Sequence, residues 1–243
     1  MKNRETTKEI KRGILLFDID GTLMYRTSDS LSAGKHAMDE AGFILTGKKN
    51  LADYIDFAGA TDQNVANQIL KLGGIENPSK DLENEFLAAY SSLISQHMTN
   101  DSYTLRGKAI EVISKLIANN FAVGIATGNI KKGAEAKLEN TKIDHLFNLD
   151  LGGYGEDGRI RTDIVKAGIK RITDKYEIIN KKPVIIGDTP FDIYAAHKAD
   201  SIAIGIPYSH NTAEVLRDAG ADFVCDEIDD TLVDTILAIF SSE

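Results

Sequence analysis

With 243 residues, 42% of them hydrophobic and 27% charged, the chain can bury a substantial core and has the composition of a soluble globular protein. Lysine and arginine number 28 against 37 acids, a net charge of −9, which leaves no electrostatic footprint for nucleic acid or an anionic membrane. The single cysteine, Cys225, excludes an internal disulfide and a Cys-rich zinc site.

Residues 1–12 are charged and lack the apolar stretch of a signal peptide, and no apolar run approaches the roughly 20 residues of a membrane span. The expected compartment is the cytoplasm. Ile14 to Phe17 form a short continuous apolar run of the kind that fills a buried parallel strand. It ends in Asp18-Ile19-Asp20-Gly21-Thr22-Leu23, and alternation along an extended chain puts Asp18 and Asp20 on one side. Met24 to Ser30 carry turn formers, which predicts a loop or small hairpin beside the strand end. Leu31, Ala33, Ala37, Met38 and Ala41 then repeat with helical spacing up to Gly42, a candidate C-terminal cap. Thr61-Asp62 marks a second helix start, with Gly73-Gly74 at its end. Leu82, Phe86, Leu87, Tyr90, Leu93 and Ile94 predict a third helix. Several helices with no convincing strand, set between two strand-bearing regions, predict a helical insertion rather than a continuing βαβ series.

From Gly107 the βα alternation is regular. A helix is expected over 109–117 and a buried strand over 121–126, ending in Thr127-Gly128-Asn129. A lysine-rich helix from Lys131 follows, then a short strand around 147–151. Next come a helix over 162–176 and a strand from Pro183 to Gly187, ending in Asp188-Thr189-Pro190-Phe191-Asp192. Two further strands fall at 201–206 and 222–225. The pattern predicts an α/β fold: a doubly wound, Rossmann-like parallel-sheet core over 1–27 and 103–243, with a helical cap over 28–102.

Two carboxylates converging at a strand end repel each other and call for a cation or a shared proton. Thr127, with the backbone amides of Gly128 and Asn129, offers an anion a seat near a helix start. Asp188 closes a third strand, and Asp192 lies a turn beyond it.

These stretches, in this order, resemble the first, second and fourth signatures of the haloacid dehalogenase superfamily, and within it the branch of phosphoglycolate phosphatases and β-phosphoglucomutases with a helical cap. The resemblance covers roughly 13–27 and 105–227. It implies a Mg²⁺-dependent phosphatase acting on a small phosphorylated metabolite. Asp18 is then the nucleophile that forms an aspartyl-phosphate, and Asp20 the acid and base, kept partly protonated by its like-charged neighbour. Asp18, Asp188 and the Asp20 carbonyl are the expected metal ligands. Thr127, Gly128, Asn129 and a basic residue are the expected phosphate contacts. Arg161 is the expected basic residue, with Lys166 as its rival on the same helix. Asp192 is expected to orient Arg161 or a metal-bound water. An acid at Asp20 separates the chain from dehalogenases, since halide needs no proton, but not from sugar phosphomutases.

Gly59-Ala60-Thr61-Asp62 resembles a cap stretch that can face substrate, and is equally an ordinary helix N-cap. Arg26, in the loop beside the site, could pair with a second anion on the substrate. The five histidines show no metal-ligand spacing. The expected partner is the small metabolite, with neither nucleic acid nor membrane, and the expected assembly is a monomer or homodimer. Two readings from another class are a phospho-accepting signalling module and a non-catalytic binding domain.

Overall fold

The computed structural model describes residues 8–27, 33–57, 59–98, 102–180 and 182–241, so Leu31 and Ser28 to Ser30 lie outside the described residues. The chain begins with β1 (Ile10–Lys11) and then forms β2 (Ile14–Phe17), every residue of which is buried. β3 (Met24–Arg26) leaves the core, and three helices follow: α1 (Ala33–Thr46), α2 (Asp62–Leu72) and α3 (Lys80–His97). The chain returns through β4 (Tyr103–Leu105), which pairs antiparallel with β3, Arg26 opposite Tyr103. Thereafter come α4 (Ala109–Ala118), β5 (Ala122–Ile125), α5 (Lys131–Asn140), α6 (Arg161–Lys175) and β6 (Glu177–Ile178). The last stretch holds β7 (Val184–Gly187), α7 (Pro190–Lys198), β8 (Ile202–Gly205), α8 (Ala213–Asp218), β9 (Phe223–Val224) and α9 (Asp230–Ile239).

Five strands form one parallel sheet in the order β5-β2-β7-β8-β9, while β1 and β6 pair separately. Because successive side chains of a strand face opposite ways, β2 feeds two cores. Leu15 and Phe17 pack with Val112, Ile113 and Leu116 of α4 and Ile236 of α9. Ile14 and Leu16 pack with Ile164 and Val165 of α6 and Ile193 of α7. Each such buried side chain contributes about 1.5–3 kcal/mol relative to exposure. Helices therefore cover both faces, which is the expected doubly wound α/β arrangement. The chain runs from β2 to a neighbour on one side and later to a neighbour on the other. The crevice at such a switch lies above the carboxyl end of β2, where the strand hands over to Asp18.

The three helices between β3 and β4 share a cluster of their own around Met38, Ile69, Phe86 and Tyr90, joined by Ile130 and Ala136 from the other side. Local signals set their starts. Thr61 accepts from Asn64 N and Ser79 from Leu82 N, each satisfying an otherwise orphaned amide.

Two sequence expectations are corrected. Gly42 does not cap α1, which continues to Thr46; it lies buried against α2, where a β-carbon would stand 2.6 Å from Ile69 Cγ2. The strand expected around 147–151 is replaced by short 3-10 turns at Asp144–Leu146 and Leu149–Leu151. Just beyond it, Gly153 bridges to Ala126 at the edge of the sheet. Among the described residues, no helix is long and apolar enough to cross a membrane.

Candidate active site

Asp18 follows β2 directly and extends its ladder, its amide bonded to Ile186 O at 2.9 Å. Asp188 follows β7. Asp192 sits in the first turn of α7, which Thr189 caps and Pro190 opens. Carboxylate oxygens of Asp18, Asp188 and Asp192 all lie within 4.8 Å of one another, and all three residues are buried. Arg161, at the start of α6 and also buried, joins this group: Nη2 stands 2.8 Å from Asp18 Oδ1 and Nε 2.7 Å from Asp192 Oδ1. The other oxygen of Asp192 accepts from the Thr189 amide and hydroxyl at 3.1 and 2.7 Å. Asp192 thus has both oxygens engaged and holds the guanidinium in place. Thr22 Oγ1 donates to Asp188 Oδ1 at 3.3 Å.

Burial raises the carboxyls of Asp18 and Asp188 above the usual range. For Asp188 the negative charges of Asp18 and Asp192 add to this, while Arg161 works against it at both sites. Burial alone would lower the Arg161 guanidinium, but the surrounding carboxylates outweigh that and hold it firmly charged. Lys166, the rival basic residue, is exposed on the same helix and lies outside this group.

Asp20 departs from expectation. Both of its oxygens bind Lys137 Nζ, at 2.8 and 2.6 Å, and Oδ2 also accepts from Asn129 Nδ2 at 2.7 Å. Lys137 is buried and spends its third donor on Asn129 Oδ1 at 2.7 Å. Burial pushes the Asp20 carboxyl up, but the charge and hydrogen bonds of Lys137 and the Asn129 amide outweigh it and hold the group below the ordinary value. The expectation of an Asp20 kept partly protonated by Asp18 is therefore corrected: in this geometry it is ionised. Asn129 is corrected as well. Its backbone amide donates to Thr127 Oγ1 at 3.3 Å and is not free for an anion, and its side chain ties Thr127 to Asp20.

Lys137 was missed from sequence, although a signal existed. It falls in the buried stripe of α5 with Ala134 and Leu138, where a charge needs a partner.

The helical layer sits directly on this floor. Thr61 is an N-cap, and the next residue, Asp62, bridges to the core: its amide donates to Gly128 O at 2.8 Å and its Oδ2 accepts from Ile130 N at 2.7 Å. Burial raises the Asp62 carboxyl to about 7. A β-carbon at Gly128 would stand 2.4 Å from Ala60 O, so only glycine lets the layer come this close. Further along, Glu83 of α3, fully buried, holds Arg159 in an ion pair and accepts from Asn67 Nδ2 at 2.7 Å.

Between layer and floor lies a cavity of about 630 Å³. Asp18, Asp20, Asp188, Thr127 and Arg161 line its base, and Tyr90, Tyr103, Lys35 and Arg26 contribute to its walls. Of the five histidines, His210 lines it. A second groove, about 570 Å³, runs along β5 at the sheet edge and includes none of the strand-end acids.

The sequence profile of the haloacid dehalogenase-like hydrolases matches residues 15–206. A phosphoglycolate phosphatase of Vibrio cholerae serotype O1 is 25% identical, covering 95% of this chain and 98% of its own length. In structure, the chain is similar to one described as a predicted phosphoglycolate phosphatase from Haemophilus somnus 129pt, with TM-score 0.64, 20% identity and coverage of 92% and 98%. It is also similar to one assigned as a β-phosphoglucomutase from Bacteroides vulgatus, with TM-score 0.62, 16% identity and coverage of 96% and 90%.

Proposed function

The chain belongs to the haloacid dehalogenase-like hydrolases, and on that premise we propose that it is a Mg²⁺-dependent phosphatase of small phosphorylated metabolites, working through an aspartyl-phosphate on Asp18. The observation that carries this reading is the contact between Asp18 and Arg161 at the end of the central strand. An anionic ester approaches a carboxylate nucleophile only if cationic charge lies between them, and a fixed, buried guanidinium costs no reorganisation when the reaction begins.

The donor set fits a small hard cation. Asp18 and Asp188 bring two crowded carboxylates to the cavity, each with its proton affinity raised by burial, and Asp192 is already occupied by Arg161. Asp18, Asp188 and the Asp20 carbonyl would hold the ion, which supplies charge neutralisation for the phosphoryl oxygens. Thr127, the Gly128 amide and Arg161 bind those oxygens. A carboxylate oxygen of Asp18 then bonds to phosphorus as the ester oxygen leaves with a proton from Asp20, which rests ionised beside Lys137 and so takes up a proton from solvent before this step. In the second step water attacks the phosphorus of the acyl phosphate, giving its proton to Asp20, and Asp18 is regenerated with release of inorganic phosphate. The resting pair of Asp20 and Lys137 suits this second step, where an ionised base is needed. The helical layer, residues 28–102, acts as a cap that excludes bulk water.

Lys137→Met is expected to raise the proton affinity of Asp20, because the cation that holds it ionised is gone. A base acts only when ionised, so the acid limb of the kcat–pH profile moves to higher pH, by about one unit or more. An unmoved limb would show that Asp20 is not the group that limits the rate there.

For the substrate we propose a small organic phosphate, phosphoglycolate foremost, whose carboxylate is a second anion, and sugar phosphates next. The name of the Vibrio cholerae relative supports this, as does Arg26 on the cavity wall. The test is a panel of phosphorylated metabolites assayed for phosphate release, with Mg²⁺ and after chelation. The expected result is hydrolysis silenced reversibly by chelator, with one substrate exceeding an aryl phosphate at least tenfold in kcat/KM. Arg26→Ala should narrow that ratio. Metal-independent hydrolysis, or no turnover of any ester, would sink the proposal. Isomerisation of a sugar phosphate without phosphate release would replace it by a mutase.

A further inference from the structure

Arg106 stands immediately after β4, where the chain returns from the helical layer, and its side chain is buried. The guanidinium reaches three loops at once. Nη1 donates to Gly21 O at 2.6 Å, and Nη2 to Pro207 O at 2.5 Å and Asp226 O at 3.3 Å. Nε pairs with Glu227 Oε1 at 3.0 Å, and the guanidinium carbon lies 5.7 Å from the centre of the Tyr208 ring. These loops follow β2, β8 and β9, all at the carboxyl edge of the sheet.

The contact with Gly21 bears on the chemistry. Gly21 donates its N–H to Met24 O at 2.8 Å and offers its carbonyl to Arg106, so the peptide units on both sides of this residue are pinned. In a trans peptide the C=O points opposite to the N–H, so a fixed Gly21 N–H fixes the direction of the Asp20 carbonyl. The turn presses on the acidic floor: a β-carbon at Gly21, where φ is +85°, would stand 2.3 Å from Asp188 Oδ2.

We propose that Arg106 is a positioning residue that clamps the Gly21 turn against the 207–208 and 226–227 loops and so keeps the Asp20 carbonyl aimed as a ligand for the divalent cation. The inference rests on the metal-dependent reading above and adds to it a residue that touches neither metal nor substrate. A planar fork is needed for the task. An ammonium at the same place is a point donor and cannot span carbonyls on separate loops in one plane.

The experiment is calorimetric titration of the metal-free full chain with Mg²⁺ alone, alongside the Mg²⁺ dependence of phosphate release, for Arg106→Met, Arg106→Lys and Glu227→Gln. Arg106→Met is expected to bind Mg²⁺ at least tenfold more weakly, with kcat recovering as Mg²⁺ is raised, and Arg106→Lys to fall between it and the parent. Glu227→Gln keeps the three carbonyl contacts and should bind within twofold of the parent. If Arg106→Met shows no cooperative melt, Arg106→Lys carries the same comparison. A parent that binds with both Arg106 variants as its equals overturns the role of Arg106. So does a Glu227→Gln loss as large as theirs, which would mean general loosening. A parent that binds no Mg²⁺ overturns the metal-dependent reading itself.

Discussion

Asp18→Asn is expected to lower kcat by a factor on the order of 10⁴ or more while the protein stays folded. The amide has the shape of the carboxylate but cannot form the acyl phosphate on which the proposed reaction depends. Its electrostatic effect on the fold is mild, because the substitution takes one negative charge out of a group of three buried acids. The contact with Arg161 becomes a hydrogen bond from the cation to a neutral amide oxygen, and the guanidinium keeps Asp192 as its ionic partner. Phosphate release and a thermal melt in chelator, measured on the same preparation, separate chemistry from folding. Turnover near the parent level would rule out Asp18 as nucleophile, whatever the melt shows.

Arg161→Ala is the second large loss, and it should appear in stability as well as rate. The guanidinium is buried between Asp18 and Asp192, so its removal leaves two carboxylates without compensation. Breaking a buried pair in this way costs about 3–5 kcal/mol. Removing a fixed cation that meets the phosphoryl oxygens should also reduce kcat/KM by about 10²–10³ or more. Lys166→Ala, on the exposed side of the same helix, should leave both quantities close to the parent. The reverse ranking would transfer the phosphate-binding role to Lys166.

What sequence conveyed well was local. The apolar run from Ile14 to Phe17 reads as a buried strand because all four side chains are buried, two on each face of the sheet. Asp188-Thr189-Pro190 followed by Asp192 reads as a strand end and helix start because the cap, the proline and the reciprocal hydrogen bonds lie within five residues. What it conveyed poorly depends on partners far along the chain. Gly42 resembles a helix stop when only α1 is in view, and the reason for it is a side chain of α2. The state of Asp20 follows from Lys137, which arrives on α5, more than a hundred residues along the chain. Two neighbouring acids in sequence suggested shared protons, whereas the folded protein supplies a cation. Arg161 and Lys166 are separated by which side of α6 meets the sheet, and that is decided in the packed core.

The place of β2 in the sheet has a consequence for how the chain is made. Leu15 pairs with Val123 on one side and Val184 on the other, so the strand bearing the nucleophile is made long before the second of its partners. Until β7 is synthesised, one edge of β2 presents open amides and carbonyls next to an unbroken apolar run, the kind of surface that recruits another strand. Chains halted before residue 184 should therefore aggregate, and those released after β8 should be the first to stay in solution.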